Sequence, residues 1–378
     1  MKVIFYQPVS FLRSTKKTNP FFDPVIDVCR KNGIEWEIWL PDARVEHGYE
    51  KTHVRDMRWF YFWDHLFYRM FHYVFRMRME RAQFWSGFLL RQLTFHRFKA
   101  DLVVSIAGCL VHVMKSFFPH TRAADIQHGV VYSSHKGYFD PHGRIWSFYW
   151  SYPEREFWLY GPGYANCFFK NPENHRWLDG RVKVVGDVVR AGKDAVPADV
   201  PFAGSRSRNV VVFSAQLTHD LDATTLAEMV RRMVAFFAKL HVTYGSAYRY
   251  VFKQHPRFAN CCDISALTAL PFVELSDKSW TELYPQMALH VTFSSTVTFD
   301  AASAGVPTYL PPYPENKILD GRFYGADFGY PFAGQTVEEL LALMKDDTAA
   351  TMKTTHDWFL ACYAPFDEMN CLSLIRGG

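Results

Sequence analysis

Short apolar runs, bounded by Gly, Pro, Asn or Ser and alternating with amphipathic stretches, recur along the whole chain. The runs at 2–7, 35–40, 100–106, within 123–131, 156–160, 182–185, 209–214, 248–253, 272–275, 290–293 and 308–310 are rich in β-branched and aromatic residues and read as buried strands. Between them, 21–32, 221–240, 280–288, 297–304 and 338–345 repeat apolar residues at helical spacing, and 348–375 reads as helical or mixed. Gly33 closes the first helix, so residues 2–40 form a βαβ opening. Strands that alternate with helices predict an α/β fold with mainly parallel sheets.

The alternation breaks once. Residues 190–208, RAGKDAVPADVPFAGSRSR, lack apolar periodicity and carry the Pro, Gly and charge of a linker. At 378 residues the chain is too long for one ordinary core. The expected organisation is a first α/β domain at 1–190, a linker at 191–208, a second at 209–347 with a cleft between the two, and a segment at 348–378 that packs back on the first. No internal repeat or low-complexity tract is present.

Residues 55–99 stand apart. They hold nine Arg or Lys against three acidic residues, interleaved with Trp, Phe, Tyr and Met. Trp59, Trp63, Phe67, Met70 and Phe71 follow a helical period, with Arg69, Arg76, Arg78 and Arg81 toward other faces. One reading is a pair of helices resting on anionic lipid; the other is a core pair whose arginines reach outward to water.

Composition narrows the classes. A formal charge of +4 is small for this length, so a general nucleic-acid binder is not expected. The seven cysteines are scattered, without a CxxC pair, and read as reduced structural thiols. The amino terminus reads as a strand rather than a leader, and no apolar run is long enough to span a bilayer. The expectation is a cytoplasmic protein, peripheral on the membrane if 55–99 binds lipid.

Three constellations lie where a strand gives out on a loop. The first is Asp125, Gln127, His128 and Gly129, with His135 and Tyr138 downstream. His128, at a strand end before a glycine, suits a general base because an imidazole titrates near neutral pH; Asp125 is the second candidate. Gln127, His135 and the loop lysines Lys16 and Lys17 are candidate acceptor-binding groups. The second is Lys253, Gln254, His255, Pro256 and Arg257, an anion clamp in which Lys253, His255 and Arg257 offset a leaving phosphate. Gln216 follows the neighbouring strand. The third is Ser294, Ser295 and Thr296, cap residues of a helix carrying Asp300 one turn in. Free backbone N–H groups at such a start suit a phosphate, and Asp300 a ribose hydroxyl. No metal cofactor is expected.

In order and spacing these motifs resemble the glycosyltransferases built of two Rossmann-like domains, the GT-B type, and among them the bacterial enzymes of capsule, O-antigen and lipooligosaccharide synthesis. Gln127–His128–Gly129 with His135, Gly137 and Tyr138, then His255–Pro256, then Ser294 to Pro307 carry the resemblance. The histidine–proline and Ser-Ser pairs also resemble CMP-sialic acid and CMP-Kdo transferases, which implies a CMP-activated ulosonic acid as donor, a glycolipid or oligosaccharide as acceptor, and a nucleotide phosphate held by His255, Ser294 and Ser295. Asp300 stands where many relatives have Glu. The same order resembles CDP-glycerol or CDP-ribitol phosphotransferases, and a non-catalytic nucleotide- or glycan-binding component is the alternative from another class.

Overall fold

The computed structural model describes the chain except residues 8–17, 45, 107–110, 151, 153, 192–207, 216, 218–220, 256–260 and 314–320, and except the side chains of residues 111, 148 and 150. The chain divides into two compact units, Met1–Ala195 with Tyr363–Gly378, and Val196–Cys362.

The first unit is built on a seven-stranded sheet of β1 (Lys2–Tyr6), β2 (Glu35–Leu40), β3 (Val54–Asp56), β4 (Leu102–Ile106), β5 (Arg122–Ile126), β6 (Arg155–Leu159) and β7 (Val182–Val184), in the order β3-β2-β1-β4-β5-β6-β7. Every pair is parallel. Such a sheet is covered on both faces, and β1 and β4 accordingly read as almost unbroken apolar runs. Under one face lies an aromatic core in which Trp39, Phe60, Phe117 and Phe118 pack with Tyr6, Val103 and Leu90. The short β3 falls where helical spacing was expected to begin. It is held by Arg55, which pairs with Glu37 at 2.9 Å.

The second unit repeats the plan with β8 (Val210–Ala215), β9 (Arg249–Gln254), β10 (Val273–Leu275), β11 (Met287–Val291) and β12 (Thr308–Tyr309), ordered β10-β9-β8-β11-β12 and all parallel. Both sheets therefore reverse strand order beside their first strand, between β1 and β4 and between β8 and β11. Open α/β sheets bind ligands at that reversal, outside the carboxyl ends of the strands. The helix expected over 280–288 runs only Trp280–Leu283. Pro285 ends it in a 3₁₀ turn, and β11 begins three residues earlier than the apolar pattern suggested.

The carboxyl-terminal stretch divides instead of returning whole to the first unit. The helix Thr348–Cys362 belongs to the second unit: Trp358 stacks on Phe299 with centroids 4.9 Å apart and donates Nε1–H to the Phe328 carbonyl at 2.7 Å. Only residues from Tyr363 onward join the first. Arg122 donates to the Leu374 and Ile375 carbonyls at 2.8 and 3.1 Å, and Asn370 to the Val184 carbonyl at 2.8 Å. Gly186, at φ +91°, lies against the Pro365 carbonyl with no room for a Cβ.

Candidate functional site

In the second unit, three strand ends meet at the reversal point. Ser214 and Ala215 from β8, Lys253 and Gln254 from β9 with His255 just after it, and Ser295 and Val297 after β11 line one pocket, closed on a side by Trp280. The turn after β11 is pinned from several directions. Thr292 Oγ1 donates to the Ser214 carbonyl at 2.8 Å and accepts from the Ser295 amide at 3.3 Å, while the Tyr324 hydroxyl donates to the Ser295 carbonyl at 2.7 Å. Gly321 allows a close passage, since a Cβ there would stand 2.5 Å from the Phe293 carbonyl. The Ser295 side of the pocket therefore rests on a turn held by several hydrogen bonds.

Lys253 is nearly buried. Its ammonium donates to the Lys278 carbonyl and lies 5.4 Å from the Trp280 ring centroid. Burial lowers its pKa, and Asp277 and Glu282 act against that. An ammonium has three protons to place, and the one bond it makes among the described residues leaves it suited to an arriving anion. Ser295 Oγ accepts from the Val297 amide at 3.3 Å and so caps the helix Val297–Ser303, a post expected of the hydroxyl group as a set. Thr296, the formal N-cap, makes no side-chain cap bond. With seven residues the helix contributes little dipole, so the site depends on side chains more than on the helix start emphasised by the sequence.

The structure gathers Lys253, His255 and Ser295 around one pocket. Ser294, partly exposed, is adjacent in chain to that lining, whereas Thr296 is exposed and Asp300, one turn into the helix, is not part of it. Gln216, Arg257, Lys16 and Lys17 lie outside the described residues. Trp280 and Ser214 were missed as site residues. The signal for Trp280 was the Ser279-x-x-Glu282 capping box that starts its helix at the pocket wall.

Just behind the site lies a polar core that the apolar count concealed. His290 on β11 is fully buried, with Nε2 2.7 Å from Ser214 Oγ and Nδ1 3.0 Å from Thr308 Oγ1. It joins β8, β11 and β12 across the sheet. Burial alone pushes its pKa down to about 3, so the ring is neutral.

In the first unit the constellation after β5 separates into supports and exposed groups. Asp125 is fully buried and forms an ion pair at 3.1 Å with the buried Arg155, whose guanidinium also lies 5.0 Å from the Tyr149 ring centroid. Burial would lower the Arg155 pKa, but the Asp125 carboxylate carries it above its ordinary value. Asp125 is thus committed to that guanidinium, which would stand uncompensated without it, and this corrects the expectation of Asp125 as second candidate for the base. Gln127 is likewise a support. Its amide donates to the Gly129 carbonyl at 2.7 Å and accepts from the Tyr160 amide at 2.9 Å, which locks the loop to β6 and leaves the side chain to the fold rather than an acceptor.

His128 and His135 are both partly exposed on this loop. Burial lowers the His128 pKa against a weaker pull from Asp125; burial, then the charge of His128, lowers that of His135. The Gly137 amide donates to His135 Nδ1 at 3.1 Å, so the proton of the neutral ring is on Nε2. Two neighbouring imidazoles are therefore neutral near pH 7, the state a base requires. Among the described residues, no group of three or more His, Cys, Asp or Glu is placed to hold a metal ion, and no helix is long and apolar enough to cross a membrane.

No protein-family model matches the chain, and no curated protein matches it in sequence. Solved structures align along its length. It is similar to a putative UDP-N-acetylglucosamine 2-epimerase from Listeria monocytogenes (13% identity, TM-score 0.51, covering 100% of this chain and 94% of that one). It is also similar to the MnaA–UDP co-structure from S. aureus (11%, TM-score 0.52, 99% and 95%) and to MurG from Acinetobacter baumannii (10%, TM-score 0.50, 100% and 99%). At these identities the likeness concerns the fold. The chain has an α/β fold of the GT-B class, with two Rossmann-like domains.

Proposed function

We propose that the protein is a glycosyltransferase that moves a sugar from a nucleotide donor to a glycolipid or oligosaccharide acceptor in surface-polysaccharide synthesis. The observation that supports this best is the meeting of Lys253, His255 and Ser295, from distant parts of the sequence, at the strand-order reversal of the second Rossmann-like sheet. In the reaction the acceptor oxygen bonds to the anomeric carbon. The bond from that carbon to the phosphate oxygen breaks, and its electron pair leaves on the phosphate. Lys253 and His255 meet the developing charge, Ser295 and Ser294 orient the phosphate, and His128 takes the acceptor proton. Asp300 is assigned to the donor ribose and His135 to the acceptor.

The motifs favour a CMP-activated ulosonic acid as donor. The test is a thermal-shift panel of CMP, CDP, UDP and GDP, followed by turnover of the matching donors with lipid-linked acceptors. Stabilisation by CMP and release of CMP from a CMP-sugar support the assignment. UDP in its place would replace the donor and leave the transferase; turnover of CDP-glycerol alone would replace the reaction. Binding without transfer to any acceptor, indifferent to His128→Ala, would make the protein a binding component.

A further inference from the structure

Residues 58–93 form a helical hairpin whose outer face the first unit leaves uncovered. Its arms are Arg58–Arg69 and Met79–Leu93, joined by a π-helical turn at Met70–Val74. The inner side is ordinary core. Phe60, Ala82, Ser86 and Leu90 are buried, and Gly87 passes so close to the helix Val111–Phe117 that a Cβ would strike the Val113 carbonyl. The tip is closed by its own bonds, from the Phe75 amide to the Met70 carbonyl at 3.1 Å, from the Met77 amide to the Phe71 carbonyl at 3.0 Å, and from His72 Nδ1 to the Met77 carbonyl at 2.9 Å.

That ordered tip presents Tyr73, Val74 and Phe75 to solvent at 68, 72 and 58% exposure, continued along the arms by Phe62 and Trp63 and by Phe84 and Trp85. Apolar surface of this extent on a folded chain marks a docking face. The charges say for what. Arg55 and Arg58, nearest the sheet, pair with Glu37 and Asp56. Arg69, Arg76, Arg78 and Arg81 are exposed, and among the described residues no acidic side chain pairs with them. Asp64 is turned inward, accepting from Ser86 Oγ at 2.6 Å. A second copy docked symmetrically through this face would bring the same basic patch from each copy together. Apolar side chains of mixed aromatic and aliphatic kind among unpaired arginines instead match an acyl–headgroup boundary of negative charge.

We propose that this hairpin docks the protein on anionic bilayers, with residues 73–75 inserted and Arg69, Arg76, Arg78 and Arg81 on the headgroups. The inference goes beyond the transferase reading and is tested without nucleotide. Co-sedimentation should show binding to phosphatidylcholine vesicles containing phosphatidylglycerol, weakening as salt is raised, and little binding to phosphatidylcholine alone. With about fivefold in partitioning per basic residue, the triple variant Arg69→Glu/Arg76→Glu/Arg78→Glu should bind at least ~100-fold more weakly. Tyr73→Ser/Phe75→Ser should also weaken binding with every charge retained, and both variants should keep the wild-type circular dichroism and Tm. Unchanged co-sedimentation of the triple variant overturns the proposal. So does equal binding to neutral vesicles, a dimer that the triple variant dissociates, or displacement from vesicles by a single-stranded oligonucleotide at equimolar charge.

Discussion

Replacing His290 by Gln should change how stability depends on pH more than it changes stability at neutral pH. The side chain is fully buried between Ser214 Oγ and Thr308 Oγ1, and the Trp280 ring lies edge-on at 5.9 Å. No charged partner contributes to its shift, and burial alone moves the pKa from 6.5 to about 3. A depressed folded-state value means that the unfolded chain binds the proton first. The stabilisation is therefore complete above 6.5 and is lost as the pH falls toward 3. At pH 5, one and a half pH units below the unfolded value and still above the folded one, the loss is about 2 kcal/mol. Gln keeps a hydrogen-bonding group but cannot titrate, and at pH 7 it should cost about 1–2 kcal/mol for the strained or missing bond. The wild-type advantage should thus close, or reverse, between pH 7 and 5. The assay is urea denaturation at both pH values, with hydrogen exchange of the peptide containing Met287–Val291 to report this unit alone. A wild-type-to-variant difference that stays constant within about 0.5 kcal/mol would refute the reasoning, because every other titrating group is common to both proteins.

Asp125→Asn should destabilise the first unit by about 3–5 kcal/mol, because it strands the buried Arg155 guanidinium; urea denaturation reads it, and a loss of activity without a loss of stability would contradict the supporting role given to Asp125. Ser294→Ala should raise the donor KM at least as much as it lowers kcat, while Ser295→Ala should add a stability cost of about 1 kcal/mol through the lost cap on the Val297 amide, measured by steady-state kinetics beside thermal denaturation. Since burial holds the His128 pKa below its ordinary 6.5, kcat/KM should fall only on the acid side of that value. A profile that falls on the alkaline side through 6.5, or one unaltered in His128→Ala, would remove His128 as the base.

Much of the fold was legible because parallel strands buried on both faces leave continuous apolar runs, and the order of those runs with helices between them restricts the topology. Elements that lack this signature were missed. β3 has three residues and depends on an ion pair, Arg55 to Glu37, rather than on its own apolar content. The helix ending at Leu283 was overextended because Tyr284 and Met287 continue its apolar spacing past Pro285. The site divides in the same manner. Residue type and strand-end position pointed to Lys253, His255 and Ser295, since chemistry at a sheet edge depends on where a strand stops. Burial assigned Asp125 and Gln127 to the scaffold, and their types gave no hint of it: a carboxylate beside a histidine reads equally as a catalytic partner or as the mate of an arginine 30 residues away. His290 shows the reverse case, a titratable group in an apolar run whose partners lie on two other strands.

The central claim, that the second Rossmann-like unit holds the donor phosphate at its strand-order reversal, is tested most directly by hydrogen exchange of the full chain with and without saturating CMP. Slowed exchange should appear in the peptides spanning 249–255 and 292–299. Protection confined to other peptides, with these two unchanged while CMP is bound, would contradict it.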